Sequence, residues 1–231
     1  MIPLSATHAS RTSQHTAIAA LFDVDNTLLP GQASEVRFFR FLWKRGLVGW
    51  PEFRDSLAWV FRPGSSLSLH PLRERKIYLS GKIAADIESF AEEFCRVEIV
   101  PRLSAHGLSR MDEHRRAGHH IMLVTGSLDF LMAPLASLLE VSTLLASKLE
   151  QHHGRYTGRV CAPLPYGPGK RELITQLMQE SSIDLTQSFA YGDSPGDIEL
   201  LHMVGYPLVV NPIRGMGSIA RRNGWPVATW K

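Results

Sequence analysis

The sequence predicts an α/β fold in which a parallel sheet with crossover helices is interrupted, soon after its first strand, by a helical insert. Three observations predict it. Short apolar runs alternate with segments of helical periodicity, the pattern of a parallel sheet. Three of those runs end in functional polar residues: Asp23-Val24-Asp25-Asn26-Thr27, Thr125-Gly126-Ser127 and Asp193-Ser194-Pro195-Gly196-Asp197. Residues 31–100 break the rhythm with helical segments and no convincing buried strand.

The first strand is the run 17–22, Ala-Ile-Ala-Ala-Leu-Phe. Helical segments are expected at 35–45, 51–61, 71–79 and 84–97, with Pro30-Gly31 and Val100-Pro101 as flanking hinges. A block that leaves and re-enters beside the first strand is placed to act as a lid. Its aromatics (Phe38, Phe39, Phe41, Trp43, Trp50, Phe53, Trp59 and Phe61) read mainly as helical core. Leu103, Leu108, Met111 and Arg115 mark a helix ending near Gly118, and 120–124 is the next strand. A helix over 128–139, a buried strand over 141–147 and a turn or small hairpin at Gly154-Arg-Tyr-Thr-Gly158 follow. Gly167-Pro168-Gly169-Lys170 opens a helix carrying Leu173, Ile174, Leu177 and Met178. Residues 188–192 are a strand, Ile198, Leu201 and Met203 a helix, and 207–210 a short buried strand. Residues 1–16, rich in Ser, Thr and His, read as a mobile tail without the basic and apolar regions of a secretory signal.

The chain has 231 residues, enough for a core domain with an insert. At 44% hydrophobic and 20% charged it has the balance of a globular protein with a buried core. Its net charge of +3 suits an anionic substrate. The basic residues are dispersed apart from clusters such as Arg73-Glu-Arg-Lys76, so no nucleic-acid partner is expected. No apolar stretch reaches the roughly 18 residues of a membrane span. Cys95 and Cys161 suggest neither a disulfide framework nor a metal knuckle, which fits a cytoplasmic protein.

Carboxylates are depleted in strands, so two of them one residue apart at a strand end call for a purpose. Asp23 and Asp25 form a ligand set for a hard cation such as Mg²⁺, and such a pair also supplies a nucleophile and a general acid/base. The competing reading is a solvated turn. A strand ending in Thr125-Gly126-Ser127 offers hydroxyls and backbone N–H groups to a phosphate, while Ser127 can instead cap the next helix. Lys170 faces the positive end of a helix dipole, an unfavourable place unless an anion is held nearby. Ser194, Pro195 and Asp197 fit a capping box, which leaves Asp193 unexplained. Ligands of open α/β sheets bind beyond the carboxyl ends of the strands, so these motifs converge on one cleft.

The ordered set, Asp-x-Asp, then Thr, then Lys, then Asp-x-x-x-Asp, resembles the haloacid dehalogenase superfamily of phosphohydrolases over residues 17–230. The branch it resembles is the phosphoserine-phosphatase-like one, with a helical cap between the first and second motifs. Leu123-Val-Thr-Gly-Ser127, Gly154-Arg-Tyr-Thr-Gly158, Val210-Asn-Pro212 and Gly224-Trp-Pro226 are secondary echoes of that branch. The resemblance implies a Rossmann-like core (17–30 and 101–231) with the nucleophile strand in its centre, and a helical cap over 31–100. It implies Asp23 as nucleophile and Asp25 as general acid and then base. It also implies Mg²⁺ held by Asp23, Asp193 and the Asp25 carbonyl, with Asp197 on a metal-bound water or on Lys170. Thr125 and Lys170 would bind phosphoryl oxygens, with Thr27, Gly126, Ser127 and Glu35 as substrate contacts. Asn26 stands where many relatives have glycine, and both residues tolerate positive φ.

Substrate identity depends on the cap. Phosphoserine phosphatases place an acid shortly after the first motif to bind the substrate amine. The matching position here is Gln32, and the nearest acid, Glu35, also reads as a first-turn acid in a helix capped by Ser34. Cap-bearing relatives resemble histidinol-phosphate phosphatases, so the expected partner is a small amino-alcohol or amino-acid phosphate. The same four motifs fit a phosphotransferase or phosphomutase. A non-catalytic ligand-binding domain is the alternative from another class.

Overall fold

The computed structural model describes residues 16–60, 75–213 and 215–231. The expected tail (apart from Thr16), Phe61, the first four residues of the helix expected over 71–79, and Arg214 fall outside the described residues; the rest of that helix holds one 3-10 turn, Ile77–Leu79.

Six strands build the main sheet: β1 (Ala19–Phe22), β2 (His120–Leu128), β3 (Thr143–Ser147), β6 (Phe189–Gly192), β7 (Tyr206–Val210) and β8 (Val227–Ala228). Their order is β3-β2-β1-β6-β7-β8 and every pairing is parallel. The fold is α/β and Rossmann-like, with β1 between β2 and β6. Side chains alternate along a strand, and here both faces are buried, which is why the strands read as continuous apolar runs. Ala20, Phe22, Ile121, Leu123 and Tyr191 point into one core, and Ala19, Leu21, Met122, Val124 and Ala190 into the other.

The helices of the insert are α1 (Ser34–Lys44), α2 (Trp50–Val60), α3 (Ala84–Glu88) and α4 (Ala91–Phe94), the last continuing into a wider turn over Cys95–Ile99. After it come α5 (Ala105–Arg116), α6 (Asp129–Leu138), α7 (Pro168–Glu180), α8 (Ile198–Met203) and α9 (Met216–Asn223). Met111 of α5 and Leu131, Met132 and Leu135 of α6 cover the first core, while Ile174, Leu200, Leu201, Met216 and Ala220 cover the second.

The first core extends into the insert. Phe38 meets Phe94 edge-on at 5.0 Å and Phe130 of α6 at 5.8 Å, and Phe41 meets Phe94 at 5.4 Å. Each such pair is worth about 0.5–1.5 kcal/mol beyond the area it buries. The aromatics of the insert divide by helix face: Phe38, Phe41 and Phe94 turn fully inward. Trp43, Trp50 and Phe53 stay exposed, against the expectation that they belong to the helical core.

Gly154-Arg-Tyr-Thr-Gly158 does form a hairpin, joining β4 (Leu149–His152) to β5 (Arg155–Val160). This antiparallel ribbon extends toward the insert: Lys76 N donates to Gly158 O at 2.7 Å and Ala84 N to Gly154 O at 2.9 Å. β3 lies at the sheet edge and is only half-buried, where a buried strand was expected, because β2 is its one neighbour in the sheet. β2 itself runs four residues past Val124, with an irregularity before Leu128 pairs Ser147. Among the described residues, no helix is long and apolar enough to cross a membrane.

Candidate active site

Asp23 continues the β1 ladder by one residue, its N–H donating to Tyr191 O at 2.9 Å. The chain then turns sharply, with Leu29 N on Val24 O at 2.9 Å and Asn26 N on Leu29 O at 2.8 Å. Asn26 has φ +59°, a conformation Asn accepts at little cost. Its amide also orients the site, donating to Asp193 Oδ2 at 3.0 Å and to Asn211 O at 2.9 Å. Asn211 reciprocates, donating to Asn26 O at 2.8 Å while its own Oδ1 accepts from Trp230 N at 2.8 Å. The C-terminal segment is thereby tied to the first acidic motif.

Lys170 lies in the first turn of α7 and is 1% exposed. Its ammonium donates to Asp23 Oδ1 at 2.8 Å, Val124 O at 2.7 Å and Asp197 Oδ1 at 2.5 Å. The anion its helix-start position calls for is a pair of carboxylates. Gly169 permits the approach, since a Cβ there would lie 1.8 Å from Leu164 O. Asp197 Oδ2 accepts from Asp193 N, Ser194 N and Ser194 Oγ, completing the predicted capping box. Gly192 lets it sit so close, because a Cβ would be 2.5 Å from Asp197 Cβ.

Oxygen atoms of Asp23, Asp193 and Asp197 lie within 4.8 Å of one another, all three residues buried. One ammonium faces these three carboxylates. Burial, partly countered by Lys170 and reinforced by Asp197 and Asp193, raises the Asp23 pKa well above the usual carboxylate range. Burial, then Asp197, pushes Asp193 up to about 7. Burial opposes the charge on Lys170, but Asp197 and Asp23 outweigh it and hold its pKa above the ordinary lysine value. A buried oxygen cluster with surplus negative charge fits a hard divalent cation.

Asp25 is turned to one side. Its Oδ1 accepts from Ser34 N at 2.7 Å, and its Oδ2 lies 2.7 Å from Ser127 Oγ and 3.1 Å from Ser34 Oγ. Two expectations are corrected here. Ser34 is the first helical residue of α1 rather than its cap, since Ala33 holds that position without a side-chain bond. Ser127 does not cap α6 either, because its hydroxyl goes to Asp25 and the cap position is Leu128.

Asp23, Asp25, Asn26, Asp193 and Ser194 line a cavity of about 360 Å³, whereas Lys170 and Asp197 are not among its lining residues. Asp23, Asp25, Thr125, Gly126, Ser127 and Asp193 form its floor; Glu35, Val36 and Lys76 come from the insert, and Leu164, Pro165 and Tyr166 from the loop before α7. Thr125 is buried and its Oγ1 accepts from Ser127 N at 3.1 Å. Glu35 Oε2 accepts from Lys76 Nζ at 2.6 Å. Thr27, expected among the substrate contacts, is fully buried away from the cavity, its hydroxyl unpartnered among the described residues. Lys76, Ser34 and Asn211 were missed as site residues. Lys76 sat in a short charged cluster with the look of a solvated face, and Ser34 in a capping position. Val210-Asn-Pro212 gave a faint signal for Asn211.

A strand-end aspartate cluster with a buried lysine thus sits beside an insert that follows the first strand, at the carboxyl ends of a parallel sheet where ligands of such sheets bind. Residues 20–202 match the haloacid dehalogenase-like hydrolase model, and the chain belongs to that family. It is 28% identical over 219 residues to a histidinol-phosphatase of Neisseria meningitidis, covering 92% of this chain and 98% of that protein. It is 28% identical over 222 residues to a phosphoserine phosphatase of Mycobacterium tuberculosis, covering 92% and 71%. Among solved structures, a Bordetella pertussis protein of unknown function is similar at TM-score 0.78 and 31% identity, covering 92% of this chain and 98% of that one.

Proposed function

We propose that this chain is a Mg²⁺-dependent phosphomonoester phosphatase that works through an aspartyl-phosphate on Asp23. The observation that carries the reading is the buried Lys170 contact with Asp23 and Asp197, with Asp23 and Asp193 lining a cavity. An Asp23 oxygen attacks phosphorus while the bond to the leaving oxygen breaks, and that oxygen takes a proton from Asp25. Water then attacks phosphorus and gives its proton to Asp25, and the Asp23–phosphorus bond breaks with its electron pair returning to Asp23. Lys170 and Thr125 hold phosphoryl oxygens as charge develops, with Gly126 and Ser127 beside them. Asp23 and Asp193, with the Asp25 carbonyl, would hold Mg²⁺, and Asp197 keeps Lys170 in place. The bound cation neutralises phosphoryl charge.

Residues 31–100 act as a cap over the cavity, joined by the β4–β5 ribbon. Glu35 and Lys76 line it with both signs of charge, which suits a small amino-alcohol or amino-acid phosphate. The names of the Neisseria and Mycobacterium relatives support that class. Free Cys95 and Cys161 support a cytoplasmic location. The test is phosphate release with Mg²⁺ from a panel of small phosphomonoesters including histidinol phosphate and phosphoserine, with Asp23→Asn as the blank. One substrate well above the others is the expected result, and no release from any would overturn the proposal.

A further inference from the structure

We infer that Ser34 and Ser127 are positioning residues that aim the Asp25 carboxyl at the leaving group, so that the insert and β2 jointly set the general acid. The inference rests on the phosphatase reading above. Asp25 sits in the loop after β1, Ser34 is the first residue of α1, and Ser127 belongs to β2, nine and 102 residues away in sequence. The two serines are buried and their hydroxyls are 2.6 Å apart, so their two protons are shared among three contacts in one cluster with Asp25 Oδ2.

The contacts fall unevenly on the carboxyl. A carboxylate offers about four lone-pair directions. Oδ2 faces both serine hydroxyls, at 2.7 and 3.1 Å, while Oδ1 has one donor, the Ser34 N–H. The open direction is therefore on Oδ1, on a residue that lines the cavity. That N–H is one of the helix-start amides that α1 cannot satisfy internally, so Asp25 serves as the helix's anion from outside it. A shift of α1 moves the acid with it.

Proton delivery matters in proportion to the basicity of the departing oxygen. An alkoxide must receive the Asp25 proton as the phosphorus–oxygen bond breaks, whereas nitrophenolate departs without it. Losing the aim of Asp25 should thus slow phosphoryl transfer to Asp23 from an alkyl phosphate more than from p-nitrophenyl phosphate. A serine that only binds phosphate, or only supports the fold, would slow both alike.

The experiment is single-turnover rapid quench with Mg²⁺, measuring phosphoenzyme formation from p-nitrophenyl phosphate and from histidinol phosphate or phosphoserine. Proteins compared are the unsubstituted chain, Ser34→Ala, Ser127→Ala and Ser127→Thr. We expect the alkyl-to-aryl rate ratio to fall about 10- to 100-fold in each alanine variant, a partial loss of the roughly 10²–10⁴-fold that a positioned acid contributes, and to recover in Ser127→Thr. The Ser127 variants leave α1 intact, so they decide the matter should Ser34→Ala fail to fold. An unchanged ratio, whether or not both rates drop, overturns the positioning role and leaves the phosphatase reading standing. Neither phosphoenzyme nor leaving-group release from either compound in the unsubstituted protein overturns both.

Discussion

Two buried polar clusters meet along β6 and solve burial in opposite ways. At the mouth of the strand, Asp23, Asp193 and Asp197 surround the single ammonium of Lys170, too little positive charge for three ionised carboxylates. Just below, His114 Nε2 lies 2.6 Å from the Tyr191 hydroxyl and His114 Nδ1 lies 2.8 Å from His119 Nδ1. Burial, with help from His119, pushes His114 down to about 4, and burial lifts the Tyr191 hydroxyl up to about 12. Both groups are neutral near pH 7, and a neutral imidazole satisfies both contacts by donating through one nitrogen and accepting through the other. The lower cluster is complete without any visitor. The upper one is complete only with a cation, so unbalanced charge, rather than buried polarity as such, marks the site of chemistry.

The sharpest way to break this comparison is Asp23→Asn. Turnover should fall by at least ~10³-fold, as for other nucleophile removals, while circular dichroism shows a cooperative fold. Retained activity would take the nucleophile role from Asp23.

Next in size is the response to cation and pH. In the metal-free protein Asp23 and Asp193 keep protons that the unfolded chain has already released, Asp193 up to about 7. Unfolding then releases protons, so this cluster's contribution to stability falls as pH rises from about 4 to about 7. A bound cation replaces those protons and removes the penalty. Thermal unfolding should show Mg²⁺ raising the melting temperature by several degrees at pH 8 and by less at pH 5.5. Asp193→Asn should abolish the difference, and an equal Mg²⁺ effect at both pH values would count against this site.

The lower cluster predicts the opposite slope. His114 has a folded pKa of about 4 against 6.5 when free, so as pH falls through that window only the unfolded chain takes up the proton. Stability should drop on the order of 3 kcal/mol between pH 6.5 and 4. In His114→Phe, unfolding measured by denaturant titration should lose that acid slope while kcat at pH 7.5 stays within about twofold. A slope that survives the substitution would assign it elsewhere.

Much of this was legible in the sequence because it is local. Both-face burial makes the strands of a parallel sheet continuous apolar runs, and an acid at the end of such a run stands out. The left-handed conformation of Asn26, the capping box at Ser194 and Asp197, and the hairpin at Gly154 follow from short-range backbone chemistry. β8 has only two residues, too few for any period to show, and the extension of β2 past Val124 is set by its pairing with β3.

The sequence by itself determined the class of fold, the order of the motifs and the residue types that reach the strand ends. Tertiary structure decided what those residues touch. Asp25 turned to Ser34 and Ser127, Asn26 locked to Asn211, and Lys76 turned from an expected surface charge into the buried partner of Glu35. It also kept Thr27 out of the cavity and divided the aromatics of the insert between core and surface. The physical reason is range. Periodicity and turn chemistry act over a few residues, whereas a buried polar atom must find its partner wherever packing brings one, here up to 185 residues away.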